Sequence, residues 1–123
     1  MNTLVPAARI LLVDDDPAIQ GVVSDLLEEA GHHLETAASC AAAMDAVTHA
    51  DWDLVICDLR LPEGSGATLS QQIIAQRPEL ARRIILLTGE IGTLDEGLRR
   101  FPLVPKPFNL DDMLRAVETA LAA

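Results

Sequence analysis

Short apolar runs alternate along the chain with segments of helical periodicity. Ile10-Leu11-Leu12-Val13 is an uninterrupted apolar run that ends in acids. Asp16-Pro17 then offers a helix N-cap followed by proline at the first helical position. Ile19, Val22, Val23, Leu26, Leu27 and Ala30 recur at the spacing of one helix face. Gly31 stands where a left-handed C-terminal cap belongs. His33 to Ala37 reads as a second strand, and Ser39 caps an Ala-rich helix to about His49. Leu54-Val55-Ile56-Cys57 is a third strand ending at Asp58. Gly64 and Gly66 make a loop before a helix over 67–76. Ile84-Ile85-Leu86-Leu87 is a fourth strand ending at Thr88, and a short, poorly patterned helix is predicted over 91–100. Leu103-Val104 is a brief fifth strand closed by Pro105 and Lys106. Asn109 caps a last helix with Leu110, Met113, Leu114, Val117 and Leu121 on its inner face.

Five strands thus alternate with five helices. Strands that are apolar throughout are buried on both faces, as in a parallel sheet. Regular alternation with helices gives right-handed crossovers and a doubly wound α/β sandwich. The 123 residues form a single domain, 1–123, with a core of about 9–121. Half of the residues are hydrophobic and 23% are charged, which is globular composition.

Charge and chemistry narrow the function. Nine basic against nineteen acidic residues give a formal charge of −10, which disfavours direct contact with nucleic acid or an anionic membrane. Apolar runs are too short to span a bilayer, and the N-terminal residues lack the pattern of a signal peptide, so a cytoplasmic location is expected. Cys40 and Cys57 are too few for a disulfide framework and show no metal-ligand spacing. Cys57 reads as a small buried hydrophobe. Trp52 is expected to pack at the edge of the third strand, and His32, His33 and His49 are expected to face solvent. Gly64-Ser65-Gly66 lacks the context of a nucleotide-binding fingerprint.

In open α/β sheets ligands bind beyond the carboxyl ends of the strands. The first strand ends in Asp14-Asp15-Asp16, the third in Asp58, the fourth in Thr88, and the fifth in Lys106, the one lysine of the chain. Asp16 reads as the helix cap. The other carboxylates converge with a hydroxyl and an ammonium on one sheet edge. Clustered carboxylates repel and call for a cation, and oxygen ligands on an exposed edge suit Mg²⁺. Lys106 and Thr88 are suited to a phosphoryl group, and a carboxylate beside a divalent ion can attack phosphorus.

On these residues the sequence resembles the response-regulator receiver domains of two-component signalling. The resemblance runs from about Arg9 to Leu121 through Ile10–Pro17, Val55–Pro62 with Gly66, Leu86–Gly89 and Pro105–Phe108. It implies the flavodoxin-like strand order 2-1-3-4-5. It further implies Asp58 as phospho-acceptor and metal ligand, Asp15 as a direct Mg²⁺ ligand, Asp14 acting mainly through water and the Arg60 carbonyl as a third protein ligand. Lys106 would pair with Asp58 and then with its phosphate, and Thr88 would move toward the phosphoryl oxygen. A cis Lys106–Pro107 peptide is also implied. The partners implied are a histidine kinase or histidine phosphotransfer protein and a downstream protein, with the chain acting alone or as a fragment of a larger protein. Leu103 stands where the family usually has an aromatic switch residue. The span between Thr88 and Lys106 is short for the family. With the Pro-Lys-Pro-Phe ending, it looks more like receivers of hybrid histidine kinases than those of DNA-binding regulators. Arg60 and Glu90 flank the acceptor, and an ion pair between them would screen Asp58 from water.

Two alternatives compete. Asp14-x-Asp16 after an apolar strand mimics the motif of haloacid-dehalogenase-type phosphohydrolases, although Ala18 stands where that family has Thr or Val. The other is an unphosphorylated pseudo-receiver that serves only for docking.

Overall fold

The structure is a computed structural model, and it describes residues 7–89 and 101–122. In chain order the elements are β1 (Arg9–Val13), α1 (Pro17–Glu29), β2 (His33–Ala37), α2 (Cys40–His49) and β3 (Leu54–Asp58). A two-residue pair follows, β4 (Arg60–Leu61) and β5 (Gly64–Ser65), then α3 (Gly66–Gln76) and a 3₁₀ turn at Pro78–Leu80. The chain continues through β6 (Ile84–Thr88), β7 (Leu103–Pro105) and α4 (Leu110–Leu121). The helix expected over 91–100, and Glu90 of the expected Arg60–Glu90 pair, lie outside the described residues.

The main sheet has five parallel strands in the order β2-β1-β3-β6-β7. Counting only these strands, that is the expected order 2-1-3-4-5. Every residue of β3 and β6 is buried, whereas the edge strand β2 has exposed positions. This is the difference between a central strand covered on both faces and an edge strand.

Alternation along each strand divides the core in two. Leu11, Val13, Val55, Cys57, Ile84 and Leu86 face α2 and α3 through Ala43, Val47, Leu69 and Ile73. Ile10, Leu12, Leu54, Ile56, Ile85 and Leu87 face α1 and α4 through Val23, Leu27, Met113 and Val117. The sheet is therefore sandwiched as expected of a doubly wound fold.

The helix ends follow the local chemistry of the sequence. Asp16 accepts from Ala18 N–H, Ser39 from Ala42 N–H and Asn109 from Asp112 N–H. Gly31 has φ of 99°, and His32 N–H and Gly31 N–H close on Leu27 O and Glu28 O, the paired bonds of a Schellman cap.

Two local expectations are corrected. Val22 and Leu110, counted in apolar helix stripes, are each 47% exposed. A stripe only as wide as the sheet contact buries Val23 and Leu27 in α1, and Met113, Val117 and Ala120 in α4. His32 does not face solvent: it is buried, and its Nδ1 accepts from Ala8 N–H at 3.1 Å. His33 N–H donates to Ala8 O at 2.9 Å, so this histidine pair fastens the chain just before β1. The expected loop after Asp58 carries an ordered pairing of its own. Arg60–Leu61 pairs antiparallel with Gly64–Ser65, and Gly66 N–H returns to Leu59 O.

Trp52 packs before β3, its indole N–H donating to Ala46 O at 3.0 Å while the Arg9 guanidinium lies 4.9 Å from the ring centre. Among the described residues no helix is long and apolar enough to cross a membrane.

Candidate functional site

The carboxyl ends of β1, β3, β6 and β7 bring the expected groups together. Carboxylate oxygens of Asp14, Asp15 and Asp58 lie within 4.8 Å of one another. Asp14 and Asp58 are buried and Asp15 is exposed, so the cluster opens to water on the Asp15 side. Lys106 Nζ reaches Asp58 Oδ2 at 2.9 Å and Asp14 Oδ2 at 3.1 Å. It thus bridges both buried carboxylates, where the sequence suggested Asp58 alone. The Lys106–Pro107 peptide is cis, as the resemblance implied.

Each carboxylate is also tied to its own loop. Asp58 Oδ1 accepts from Arg60 N–H at 3.1 Å, and Asp14 Oδ1 accepts from Asp16 N–H at 2.9 Å. Thr88 is buried at the end of β6, and its carbonyl accepts from Lys106 N–H at 2.7 Å. The backbone there is continuous with the β6–β7 ladder, which places Lys106 beside Thr88.

Burial pushes the Asp14 carboxyl up, against the Asp16 N–H and Lys106, and the neighbouring Asp58 charge adds to the rise. Burial pulls the Lys106 ammonium down, but its hydrogen bonds and charge interactions with Asp58 and Asp14 prevail and hold it above its ordinary value. Burial, with the adjacent Asp58, raises the Cys57 thiol, so Cys57 stays a protonated core residue, as expected.

The donor set fits a small hard cation. Three carboxylates with one open side offer only oxygen, the chemistry that Mg²⁺ prefers while keeping several waters. The Lys106 ammonium touches two of the three, which leaves Asp15 on the open side. Asp16, by contrast, is exposed and spends its carboxylate on the α1 cap.

Gly66 is a requirement of this site. A Cβ there would collide with the Asp58 carbonyl and press on Cys57 Sγ. Only glycine lets α3 start this close to the end of β3. One contributor lies outside the motifs: Gln20 Nε2 donates to the Asp14 carbonyl at 2.6 Å. Nothing in the α1 periodicity marks this residue, since a polar position on a helix reads as solvent-facing.

The family profile of the response regulator receiver domain matches residues 10–118. The DNA-binding transcriptional regulator NtrC of Azospirillum brasilense is 34% identical over 120 residues, covering 94% of this chain and 24% of that protein. The chain therefore spans about a quarter of the length of that curated relative. The receiver domain of a sensor histidine kinase from Pseudomonas aeruginosa, solved with magnesium coordinated in its active-site cleft, superposes with a TM-score of 0.84 at 25% identity, covering 96% of this chain and 100% of that one. The response regulator TrrA of Thermotoga maritima, solved in complex with Mg²⁺ and BeF, gives 0.82 at 31% identity, covering 92% of this chain and 98% of that one. Similar proteins thus include a DNA-binding regulator and a kinase-attached receiver. With the strand order, the acidic cleft and the profile match in agreement, the chain belongs to the response regulator receiver domain family.

Proposed function

We propose that the chain is a phosphorylatable switch of two-component signalling, with Asp58 as its acceptor. The observation that carries this reading is the environment of Asp58. Its carboxylate stands at the end of β3, bonded to Lys106 and the Arg60 N–H, with Asp14 and Asp15 beside it. An Asp58 oxygen attacks the phosphorus of a phosphohistidine on a kinase or phosphotransfer protein. The P–N bond breaks, the imidazole leaves with the electron pair and takes up a proton, and an aspartyl phosphate remains. Water attack on that phosphorus returns the carboxylate and free phosphate.

Asp15 and Asp58 would hold Mg²⁺ directly, with the Arg60 carbonyl as a further ligand and Asp14 acting through water. Bound Mg²⁺ would supply neutralisation of the phosphoryl oxygens. Lys106 follows the charge from the Asp58 carboxylate to its phosphate. Thr88 donates its hydroxyl to a phosphoryl oxygen, and this biases the face around Thr88 and Leu103 between two states that a downstream protein reads. The cytoplasm, where a kinase phosphohistidine is available, is the matching location. The regulatory output of the longer relatives, DNA binding in the case of NtrC, would belong to segments beyond this chain.

The dehalogenase alternative would need the second acid of its motif in the cleft, and Asp16 caps α1 instead. The test is intact mass after incubation with acetyl phosphate, with and without Mg²⁺, beside Asp58→Asn. One added phosphoryl group that needs both Mg²⁺ and Asp58 is expected. Equal labelling of Asp58→Asn, or steady release of phosphate from a simple phosphomonoester, would sink the proposal.

A further inference from the structure

The β1 ladder ends at Val13, which pairs with Ala37 and Cys57. The Asp14 N–H still reaches Ala37 O at 3.1 Å, but the Asp14 carbonyl lies beyond the ladder on a residue with no solvent exposure. Gln20, six positions on in half-buried α1, supplies its partner at 2.6 Å. That carbonyl belongs to the peptide plane joining Asp14 to Asp15. A peptide unit is planar, so holding its oxygen holds the plane. The other end of Asp14 is already held, Oδ1 by Asp16 N–H and Oδ2 by Lys106. With both fixed, the direction in which the chain delivers Asp15 is fixed too.

We propose that Gln20 is a positioning residue that aims Asp15 into the acidic cluster and thereby sets the preference of the site for Mg²⁺ over larger cations. The proposal rests on the metal reading given above. Mg²⁺ demands near-ideal octahedral ligands, whereas Ca²⁺ accepts irregular ones. Loosening Asp15 therefore weakens Mg²⁺ far more than Ca²⁺.

The test is calorimetric titration of the full chain with Mg²⁺ and with Ca²⁺, comparing the unaltered protein with Gln20→Met and Gln20→Lys. Methionine keeps the length and helix propensity of glutamine but cannot donate. Loss of such a supporting hydrogen bond is expected to lower Mg²⁺ affinity roughly tenfold in Gln20→Met. Ca²⁺ affinity should change far less, and the melting temperature by a few degrees at most. Gln20→Lys restores a donor and should recover the ratio of Mg²⁺ to Ca²⁺ affinity, because its added charge acts on both ions alike. A methionine variant that binds both ions as the parent does, or loses both in proportion, overturns the proposal. Failure of the unaltered chain to take up Mg²⁺ would overturn the metal reading itself, and it would show in a different arm of the same experiment.

Discussion

The Lys106 ammonium sits 3.1 Å from the Asp14 carboxylate, across 92 positions of sequence, while Asp14 has no solvent exposure. A buried acid beside a second one, Asp58, is tolerated because this cation lies between them. Lys106 therefore serves the folded state itself.

Lys106→Met should lower stability at pH 7 by about 2 kcal/mol, less than for a fully buried pair because the lysine is partly exposed. Without the ammonium, the Asp14 carboxyl, already raised, rises further above its unfolded value of about 3.9. A group with a raised folded value costs stability above that value, and the cost is relieved as pH falls through it. The deficit should therefore shrink at pH 5, and Mg²⁺ should shrink it at pH 7. Urea unfolding at both pH values measures this. A deficit that is constant or grows toward acid would contradict it.

Gly66→Ala puts a methyl group against the Asp58 carbonyl, where backbone must yield. We expect a loss of about 3 kcal/mol together with reduced phosphorylation from acetyl phosphate. Thermal melting and intact mass report the two effects. A variant as stable and as readily labelled as the parent would show that α3 can retreat without disturbing the site.

Arg77 closes the end of α2 from the end of α3. Its guanidinium donates to Val47 O at 3.0 Å, Ala50 O at 3.2 Å and Asp51 at 2.8 Å. Arg77→Ala should cost about 2 kcal/mol, and Arg77→Lys should recover only part, since three donors on one nitrogen cannot match acceptors that Arg77 meets with three separate nitrogens. Denaturant midpoints of the three proteins test it. Full recovery by lysine would mean that charge, not the fork, matters.

His32 predicts a pH dependence. Burial holds its imidazole below the ordinary value, although Glu118 opposes this, and Nδ1 must stay unprotonated to accept from Ala8. The unfolded chain takes up the proton first, near pH 6.5, so stability is full above that value. It falls as pH drops from there toward the folded value. His32→Gln keeps an acceptor without titrating and should flatten this part of the profile, read as melting temperature between pH 7 and 5. An unchanged slope would assign the dependence to other groups.

Much of this was legible in the residues themselves. Apolar tetrads such as Leu54–Cys57 and Ile84–Leu87 announce strands buried on both faces, and Asp16, Ser39 and Asn109 announce the starts of helices, because both signals are local. The convergence of Asp14, Asp15, Asp58, Thr88 and Lys106 was legible too. In a parallel sheet, strand ends of the same polarity share one edge. What the tertiary structure alone decided depends on partners distant in sequence. The position of His32 on Ala8 turns an apparently exposed histidine into a buried fastening, and the β4–β5 pairing orders a Gly-rich loop. The bridging of two acids by Lys106 and the reach of Gln20 to the Asp14 carbonyl likewise depend on how α1 and β7 sit against the end of β1. Hydrophobic period and capping chemistry act within a few residues, so the chain carries them openly. A hydrogen bond to a buried carbonyl is chosen only after packing has removed the water that would otherwise satisfy it.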